Sequence, residues 1–493
     1  MSSVRTRFAP SPTGFLHVGG VRTAFYNYLF AQHHGGTFIL RLEDTDRERF
    51  VPEGVGQIVE ALDWLGLEPN EGFWISQGQH KNIEYIQSER QKTGLYQKVA
   101  EQLVEQGLAY YSYVTPERYQ EYKQDAAHQP FVYRKSMEAE FHDGKSPGPE
   151  GEYPIRLDVE AIRTEFHHLA DNGVAWHDEI RGDFVDNLSL IEDFILIKSD
   201  GFPTYNFANV VDDHEMQISH VIRGDEFISS TSKHVLLYEL FGWQAPKFVH
   251  LPPINGLDGK KLSKRTGDTN TLEYRDKGYL PEALLNFLVL LGWNDGSTQE
   301  VFSQQELIDK FSLDRLNTSP AVFDPKRLDW MNGSYIRELS IDALYKKVAD
   351  FWPDEAQAAD DAYKKQVLGL VQERLKYFSE LPELTRFFFV DLPVDDSLIS
   401  EHKQLKKLSS GELRDLLEKA KASLEASSFT TDDLTQKLND LLEQTGQKPA
   451  VLFSLIRIAT TQAPASPALA DSLAALGKDR SLSRIETQLK HLG

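Results

Sequence analysis

The hydrophobic periodicity of this chain changes once along its length, and that change limits the folds it can adopt. In the first hundred residues, strand-like stretches such as Val4 to Ala9 and Thr37 to Leu42 alternate with helix-like stretches. This alternation is typical of a parallel α/β sheet, because parallel neighbours need a crossover helix. From about Pro320 onward only the helical period remains, with apolar residues three and four apart between Leu413 and Leu441. The sequence therefore predicts an α/β domain followed by an all-helical region.

The α/β pattern is interrupted from about Tyr110 to Asp186. This segment contains a loop-forming cluster, GKSPGPEGEYP, next to the weakly alternating YPIRLDV. The pattern resumes with the strand-like DFILIKSD and QISHVIRG and with an apolar helix from Ser232 to Trp243. We expect one sheet split by an inserted domain, and Pro-containing breaks at ELPELTRFFF and TQAPASPALA between the helices that follow.

Length and composition exclude several classes of protein. A chain of 493 residues exceeds one ordinary core and predicts two to four packed units. No apolar run approaches the ~20 residues that cross a bilayer, and MSSVRTRFAP lacks the apolar core of a secretory signal, so we expect a cytoplasmic protein. The absence of cysteine excludes disulfides and thiolate metal sites. A net charge of -22 argues against nonspecific coating of nucleic acid but is compatible with a local basic groove.

The first candidate site is APSPTGFLHVGGVRTA, a turn after a strand that leads into a helix beginning near Gly19 or Gly20. The free N-H groups of a helix start favour an anion, a glycine lets a flat ligand approach the backbone, and His17 can donate to a phosphate oxygen. A strand-turn-helix with a glycine for close packing explains the same residues equally well. A second element must decide between a nucleotide site and simple packing.

That second element is NGLDGKKLSKRTGD, in which Lys260, Lys261, Lys264 and Arg265 crowd a stretch flanked by glycines. Cations on such a loop can close on polyphosphate and neutralise the charge that develops as pyrophosphate leaves. A solvated surface turn is the alternative, and most lysine-rich turns are of that kind.

Two further stretches place polar groups at predicted strand ends. In FILRLEDTDRERF, Glu43 follows an apolar strand and can accept from an ammonium, hold a cation or cap a helix. In SDGFPTYNFANVVDDHEMQISHVIRGDEF, Arg223 follows the strand-like HVI and can form a forked pair with a carboxylate. A metal site at Asp212, Asp213 and His214 is disfavoured, because three adjacent residues of an extended chain cannot all point the same way.

Taken in chain order, these four stretches resemble bacterial glutamyl-tRNA synthetases, class I enzymes that join glutamate to its tRNA with ATP. RFAPSPTGFLHVGG resembles the family's form of the first class I signature, and KLSKR resembles its second. LRLEDTDRERF and PTYNFANVVDDHEM are specific to glutamyl and glutaminyl enzymes. The resemblance extends from about Arg5 to the C-terminus and is weaker in the inserted segment and in the helical third.

The resemblance implies a fold and its limits. We expect a class I Rossmann-type parallel-sheet catalytic domain with an inserted α/β acceptor-binding domain, followed by an all-helical C-terminal anticodon-binding region. The expected limits are 1–110 and 187–250 for the halves of the catalytic domain, 111–186 for the insertion, 251–320 for a stem-contact region with the KLSKR loop, and 321–493 for two helical subdomains split near 380.

The resemblance also implies roles for individual residues. His17, Lys261 and Lys264 would be catalytic, with ATP bound by His17, Gly19, Glu226, Lys261, Ser263 and Lys264. The glutamate pocket would consist of Arg7, Ala9, Ser11, Glu43, Tyr205, Asn209 and Arg223. Glu43 would meet the α-amino group and Arg223 the γ-carboxylate, so that a neutral glutamine amide cannot compensate a buried guanidinium.

The implied reaction needs no covalent enzyme intermediate. Glutamate and ATP would form an adenylate, which would pass glutamate to the terminal ribose of tRNA(Glu), with Mg2+ accompanying the ATP phosphates and with activation requiring bound tRNA. No protein metal ligands are expected. Zinc in particular is not expected, because Ser112 and Val114 stand where some relatives carry cysteines. The first signature ends in Gly20 instead of a second histidine, which is usual for glutamyl enzymes. We expect a monomer with no membrane partner.

Four other classes fit the sequence less well. Arg223 disfavours glutaminyl ligation, and the helical third disfavours a short paralogue that glutamylates a modified tRNA base. A small-molecule nucleotidyltransferase shares the histidine signature but needs no anticodon-sized bundle. A non-catalytic RNA-binding module has no reason to keep both ATP elements.

Overall fold

The fold comes from a computed structural model of the chain, which describes residues 3–74, 82–114, 116–124, 131–138, 153–262, 270–463 and 465–492. The chain forms two compact units. Unit 1 comprises Met1–Arg275 and Pro281–Pro325, and unit 2 comprises Asp276–Leu280 and Lys326–Gly493. Within the ranges just given, every helix is too short or too polar to span a bilayer.

All the strands formed by the described residues lie in unit 1. In chain order they are β1 (Arg5–Phe8), β2 (Thr37–Leu40), β3 (Glu71–Gly72), β4 (Ala109–Tyr111), β5 (Ile155–Leu157), β6 (Val174–Asp178), β7 (Gly182–Asp186), β8 (Ile195–Ile197), β9 (His220–Gly224), β10 (Lys247–Leu251), β11 (Ile254–Asn255) and β12 (Ala321–Val322).

Helices alternate with these strands. They are α1 (Val18–His33), α2 (Pro52–Leu65), α3 (Gln87–Lys92), α4 (Leu95–Glu105), α5 (Pro116–Gln124), α6 (Val159–Glu165), α7 (His167–Asn172), α8 (Tyr205–Glu215), α9 (Ile228–Leu240), α10 (Thr271–Asp276), α11 (Pro281–Leu290) and α12 (Gln304–Lys310). Helix α1 ends just before Gly35, which takes the left-handed φ of +59° that glycine adopts at little cost. The apolar helix expected from Ser232 begins four residues earlier, at Ile228.

The parallel sheet has its topological switch between β1 and β9. On one side, β1 pairs in parallel with β2, and β2 with β3. On the other side, β9 pairs in parallel with β10, and β10 with β6. The two parts meet where the Ser219 N-H donates to the Arg5 carbonyl at 3.0 Å. The predicted parallel α/β sheet is confirmed, and the crevice beyond the carboxyl ends of β1 and β9 is where open α/β sheets bind ligands.

A second, antiparallel sheet has the order β4-β5-β8. The stretch DFILIKSD, expected to continue the parallel sheet, instead supplies β8 of this antiparallel sheet. Conversely, β6 and β7 lie within residues 111–186 and yet form a hairpin whose first strand extends the parallel sheet. Short strands of three to five residues carry too little pattern to show which sheet they join.

Unit 2 is all-helical where it is described, as predicted. Its helices, the first of which begins at the border residue Pro325, are α13 (Pro325–Glu338), α14 (Ile341–Lys347), α15 (Asp361–Val371), α16 (Leu381–Phe389), α17 (Ser397–Ser400), α18 (Ser410–Glu425), α19 (Thr431–Thr445), α20 (Pro449–Thr461), α21 (Leu469–Leu476) and α22 (Lys478–His491). The apolar stripes read from the sequence are buried, from Leu413 to Leu424 in α18 and from Leu434 to Leu441 in α19.

One predicted break in unit 2 is wrong. ELPELTRFFF is not a gap between helices, because Leu381–Phe389 is itself helix α16. Pro382 occupies its first turn, where the missing N-H has no intrahelical partner to lose. The proline therefore starts a helix here.

Candidate active site

The residues singled out from the sequence converge on the carboxyl edge of the parallel sheet. Arg7 lies near the end of β1, Glu43 follows β2, and Arg223 lies near the end of β9. Helix α1, which carries His17 at its start, follows β1 through a turn. Strand direction alone brings these distant parts of the sequence to one edge.

A buried ion-pair network occupies the β1–β2 side of this edge. The Arg7 Nε donates to Asp213 Oδ1 at 3.1 Å, and the Arg41 guanidinium lies 2.7 Å from the same oxygen. Arg41 also donates to Glu43 Oε1 at 2.9 Å, and the Asn209 amide donates to that oxygen at 2.8 Å. All five side chains are buried, so their orientations are fixed before any ligand arrives.

The pKa values of the two carboxylates in this network, Asp213 and Glu43, are shifted in opposite directions. Burial alone would raise the pKa of Asp213, but the charges of Arg7 and Arg41 hold it below its ordinary value. Burial raises the pKa of Glu43, and the opposing charges of Arg41 and Arg7 do not fully offset that rise. The negative charge of Glu43 is thus only partly compensated, and a ligand ammonium can compensate the rest.

Arg223 is buried without a carboxylate. Its side chain is 4% exposed, and its N-H groups donate to four neutral acceptors: His250 Nε2 at 3.0 Å, Tyr205 Oη at 3.2 Å, His234 Nδ1 at 3.3 Å and Thr231 Oγ1 at 2.8 Å. Among the described side chains, no carboxylate oxygen lies within ion-pair distance of Arg223. Burial accordingly lowers the pKa of Arg223. A buried charge is costly unless it is paired, so this guanidinium is suited to an anionic ligand.

The Arg223 side and the Arg7 side form one continuous site. The charges of Arg7 and Asp213 act on the Arg223 guanidinium, and burial raises the pKa of Tyr205, which lies among all three. Of the remaining pocket candidates, Ala9 is half-buried just after β1 and Ser11 is exposed in the following turn. The structure therefore groups the predicted amino-acid pocket at the switch point.

His17 caps the helix that faces this pocket. Helix α1 begins at Val18, one residue before the predicted start, and the Gly20 N-H donates to His17 Nδ1 at 3.2 Å. One of the helix-start N-H groups expected to be free for an anion is therefore already bonded within the chain. Because Nδ1 accepts, the ring proton is on Nε2, at the other side of an exposed imidazole. A Cβ on Gly19 would lie 3.1 Å from this ring, so a side chain there would disturb it.

The chain that follows the second signature lies beside the first signature. The Thr271 hydroxyl donates to the Leu16 carbonyl at 2.8 Å, and Asn270 forms an isolated antiparallel β-bridge with His17. At the other end, Lys261 bridges to Asn255 and its ammonium lies 3.5 Å from Glu226. Ser263 and Lys264 lie outside the described residues. The described residues before this gap thus lie near Glu226, and those after it lie beside His17.

Several residues of the site were not recognised from the sequence. Arg41 and Asp213 hold Arg7 and Glu43, while Thr231 and His250 hold Arg223. Arg41 had a signal, because a charged residue directly after the apolar FIL is unusual for a buried position. His250 had none, since a histidine in KFVHL fits any half-buried strand.

The segment from Asp212 to His214, where the sequence disfavours a metal site, makes hydrogen bonds and a ring contact. Asp212 accepts hydrogen bonds from Gln87, Arg90 and Tyr96, and the His214 ring stacks on Trp243 at 3.8 Å. Over the described ranges, no three His, Cys, Asp or Glu side chains are grouped as metal ligands.

A polar cluster surrounds Ser112 in the insertion. Ser112 and Tyr133 both donate to Glu138 Oε1, at 2.7 and 2.5 Å, and the Arg156 guanidinium lies 4.3 Å from the centre of the Tyr133 ring. Val114 packs in the small apolar cluster with Tyr133. Hydrogen bonds and ring packing link this part of the insertion.

Comparison with known proteins agrees with this geometry. Residues 3–330 match the family described as "tRNA synthetases class I (E and Q), catalytic domain", and residues 343–489 match "Anticodon binding domain". The chain is 40% identical over 501 residues to the "Glutamate--tRNA ligase" of Roseiflexus sp. (strain RS-1), covering 98% of this chain and 96% of that protein. It is 39% identical over 506 residues to the enzyme of the same name from Finegoldia magna, covering 99% of this chain and 100% of the relative.

Solved structures agree with the sequence relatives. The glutamate tRNA ligase of Elizabethkingia meningosepticum, crystallised in complex with its amino acid, superposes with a TM-score of 0.83 at 32% identity, and each chain is fully covered. The glutamate-tRNA synthetase of Elizabethkingia anophelis gives a TM-score of 0.82 at 32% identity, covering 99% of this chain and 100% of that one. The chain therefore belongs to the glutamate–tRNA ligases, the class I aminoacyl-tRNA synthetases whose catalytic domain and anticodon-binding domain it carries in the same order.

Proposed function

We propose that the chain ligates L-glutamate to tRNA(Glu) through a glutamyl-adenylate, with the amino acid held at the switch point of the parallel sheet. The α-carboxylate of glutamate attacks the α-phosphorus of ATP, and pyrophosphate leaves. The terminal ribose hydroxyl of the tRNA then attacks the carbonyl carbon, and AMP leaves. Alignment and charge stabilisation accelerate both steps, so no covalent enzyme intermediate is needed.

The observation that carries this proposal is the buried Arg223 guanidinium with only neutral partners. A side-chain carboxylate of the substrate would complete it, whereas an uncharged amide would leave the charge unpaired. Glu43, whose pKa burial raises, would receive the α-ammonium. Arg7, Ala9, Ser11, Tyr205 and Asn209 would line the remaining pocket.

The nucleotide side is assigned to the two signatures. His17 would donate from Nε2 to a phosphate oxygen, since Nδ1 is occupied by the Gly20 N-H. Gly19 would leave room for the nucleotide, and Glu226 would lie near ATP. Lys261, Ser263 and Lys264 would stabilise the pyrophosphate as it leaves, and Mg2+ would arrive with the ATP phosphates.

The remaining roles concern tRNA and the cell. The insertion would bind the acceptor end, the region around KLSKR the stem, and the C-terminal helices the anticodon, with the domain limits stated above. We propose that the reaction takes place in the cytoplasm and that the active form is a monomer. Light scattering with and without tRNA tests the monomer.

Glutamate-dependent exchange between ATP and pyrophosphate, measured with and without tRNA(Glu), tests the proposal. We expect exchange that depends on glutamate and on tRNA, no exchange with glutamine, and slower adenylate formation in Lys264→Ala. Exchange that is absent under both conditions would exclude the adenylate route. Charging assays with both tRNA(Glu) and tRNA(Gln) then define which tRNA is used.

A further inference from the structure

One of the four hydrogen-bond partners of Arg223 is His250. Arg223 and His250 are direct neighbours across the parallel ladder of β9 and β10, so their side chains point to the same face of the sheet. The Arg223 Nε donates to His250 Nε2 at 3.0 Å. This hydrogen bond fixes the inner edge of the guanidinium while its outer nitrogens point to Tyr205 and Thr231.

The hydrogen bond made by Nδ1 of His250 determines whether Nε2 can accept a hydrogen bond. His250 Nδ1 lies 2.7 Å from Asp178 Oδ2. Because a carboxylate only accepts, Nδ1 carries the proton and Nε2 of the neutral ring is left as an acceptor for Arg223. Burial lowers the pKa of His250, which favours the neutral ring.

Asp178 is itself held rigidly at the end of β6. One of its oxygens accepts from the backbone N-H groups of Ile180 and Arg181, and the other accepts from the His250 backbone and ring. The Arg181 side chain returns to the His250 carbonyl at 3.0 Å. The turn after β6 and the end of β10 are thereby locked together.

This arrangement keeps a negative charge close to Arg223 but never in contact with it. A carboxylate bound directly to Arg223 would neutralise the guanidinium and compete with a substrate carboxylate. A neutral imidazole between them orients the guanidinium and leaves its charge unpaired.

We propose that Asp178 and His250 form a positioning pair that aims Arg223 and reserves its charge for the substrate side-chain carboxylate, which makes His250 a determinant of glutamate over glutamine. The proposal rests on the proposed function, because it assigns the γ-carboxylate to Arg223. His250 does not touch the substrate and is a positioning residue.

Two substitutions of His250 separate its hydrogen bond to Asp178 from its hydrogen bond to Arg223. His250→Asn places a donor where Nδ1 meets Asp178 but removes the acceptor for Arg223. His250→Gln places an amide oxygen near the position of Nε2 and so keeps that acceptor. His220→Asn is the matched control, since His220 lies at the other end of β9 against Phe30 and Ser219.

The measurement is the KM and kcat for glutamate and for glutamine in aminoacylation, with the KM for ATP alongside. We expect His250→Asn to raise the KM for glutamate about tenfold and to lower the glutamate-to-glutamine ratio of kcat/KM about tenfold, as the loss of one hydrogen bond to a charged group implies. His250→Gln is expected to recover most of both values, and His220→Asn and the KM for ATP to remain unchanged. Because a smaller folded fraction lowers kcat but not KM, a purely structural defect gives a different result.

Two results would overturn the proposal. One is unchanged glutamate KM and unchanged substrate preference in both His250 variants. The other is an equal loss of kcat in both variants with the preference intact. Arg223→Gln, run in parallel, distinguishes the levels: if it abolishes the preference while His250→Asn does not, only the positioning role fails. If Arg223→Gln keeps the preference, the pocket assignment fails as well.

Discussion

The charged groups around Arg223 and those around Lys261 belong to the same unit but have opposite surroundings. Arg223 is 4% exposed and is held by four hydrogen bonds, and nearby Arg41 is completely buried in its ion pairs. The Lys261 side chain is 64% exposed and makes a 3.5 Å ion pair with Glu226, itself 51% exposed. The proposed amino-acid side is thus organised before substrate binds, whereas Lys261, on the proposed nucleotide side, makes a long and exposed contact.

The difference fits two different tasks. Discrimination between glutamate and glutamine needs a charge that is already desolvated, because an exposed guanidinium would be satisfied by water with either substrate. Binding and releasing pyrophosphate needs groups that tighten only as charge develops. The burial of each side therefore indicates where specificity is set and where the leaving group is stabilised.

The largest expected effect comes from removing the unpaired buried charge. Arg223→Gln should lower kcat/KM for glutamate about a thousandfold, because losing one partner of a buried ion pair costs about 3–5 kcal/mol. The KM for ATP should change less than about twofold, since the nucleotide side is built from other residues. Steady-state kinetics with both substrates measure this, with Arg49→Gln at an exposed arginine as the control. Equal losses for both substrates would show that the two sides are not separate.

The positions of the proposed site residues, though not the contrast in their burial, could be predicted from the sequence. The strand-then-charge patterns at Glu43 and Arg223, and the two signatures, place the residues proposed to face substrate, because strand ends of a parallel sheet must share one edge. The all-helical third follows from its leucine spacing.

Apart from Arg41, the supporting residues could not be predicted, because they depend on three-dimensional neighbours. Asp213 stands beside Asp212 in the sequence, yet one pairs with Arg7 and the other with Arg90. Asp178 reaches His250 only because β6 joins the parallel sheet, a pairing that a five-residue strand does not reveal. The residues proposed to contact substrate sit in recognisable motifs, whereas the residues that hold them are scattered through the chain.

The next effect should appear in stability. Asp213→Asn removes the carboxylate shared by Arg7 and Arg41, and we expect the free energy of unfolding of unit 1 to fall by about 3–5 kcal/mol. Asp46→Asn, at an exposed pair with Arg49, should cost less than about 1 kcal/mol. Denaturant titrations followed by tryptophan fluorescence compare the two variants. Similar costs would contradict the view that the amino-acid side is held by buried ion pairs.

A smaller effect is expected at His17, where two roles can be separated. His17→Asn keeps an N-cap side chain for the Gly20 N-H but removes the outward Nε2 donor, so stability should change by less than about 1 kcal/mol. The rate of adenylate formation should fall about 10- to 100-fold if Nε2 serves the phosphates, with the KM for glutamate unchanged. Single-turnover kinetics and thermal unfolding test these statements. An unchanged rate would leave His17 with the capping role alone.

The smallest effect should come from the exposed pair on the nucleotide side. Glu226→Gln removes the acidic partner of Lys261 at a distance of 3.5 Å, and the free energy of unfolding should change by less than about 0.5 kcal/mol, because water and salt screen such pairs. The catalytic effect should have the opposite character to that of Arg223→Gln: the KM for ATP should change several-fold and depend on ionic strength, while the preference for glutamate stays intact. Aminoacylation at low and high salt, with Glu226→Gln and Lys261→Gln measured side by side, tests this. Salt-independent losses in both variants would mean that the nucleotide side is as tightly organised as the amino-acid side, and the contrast between them would no longer explain where specificity is set.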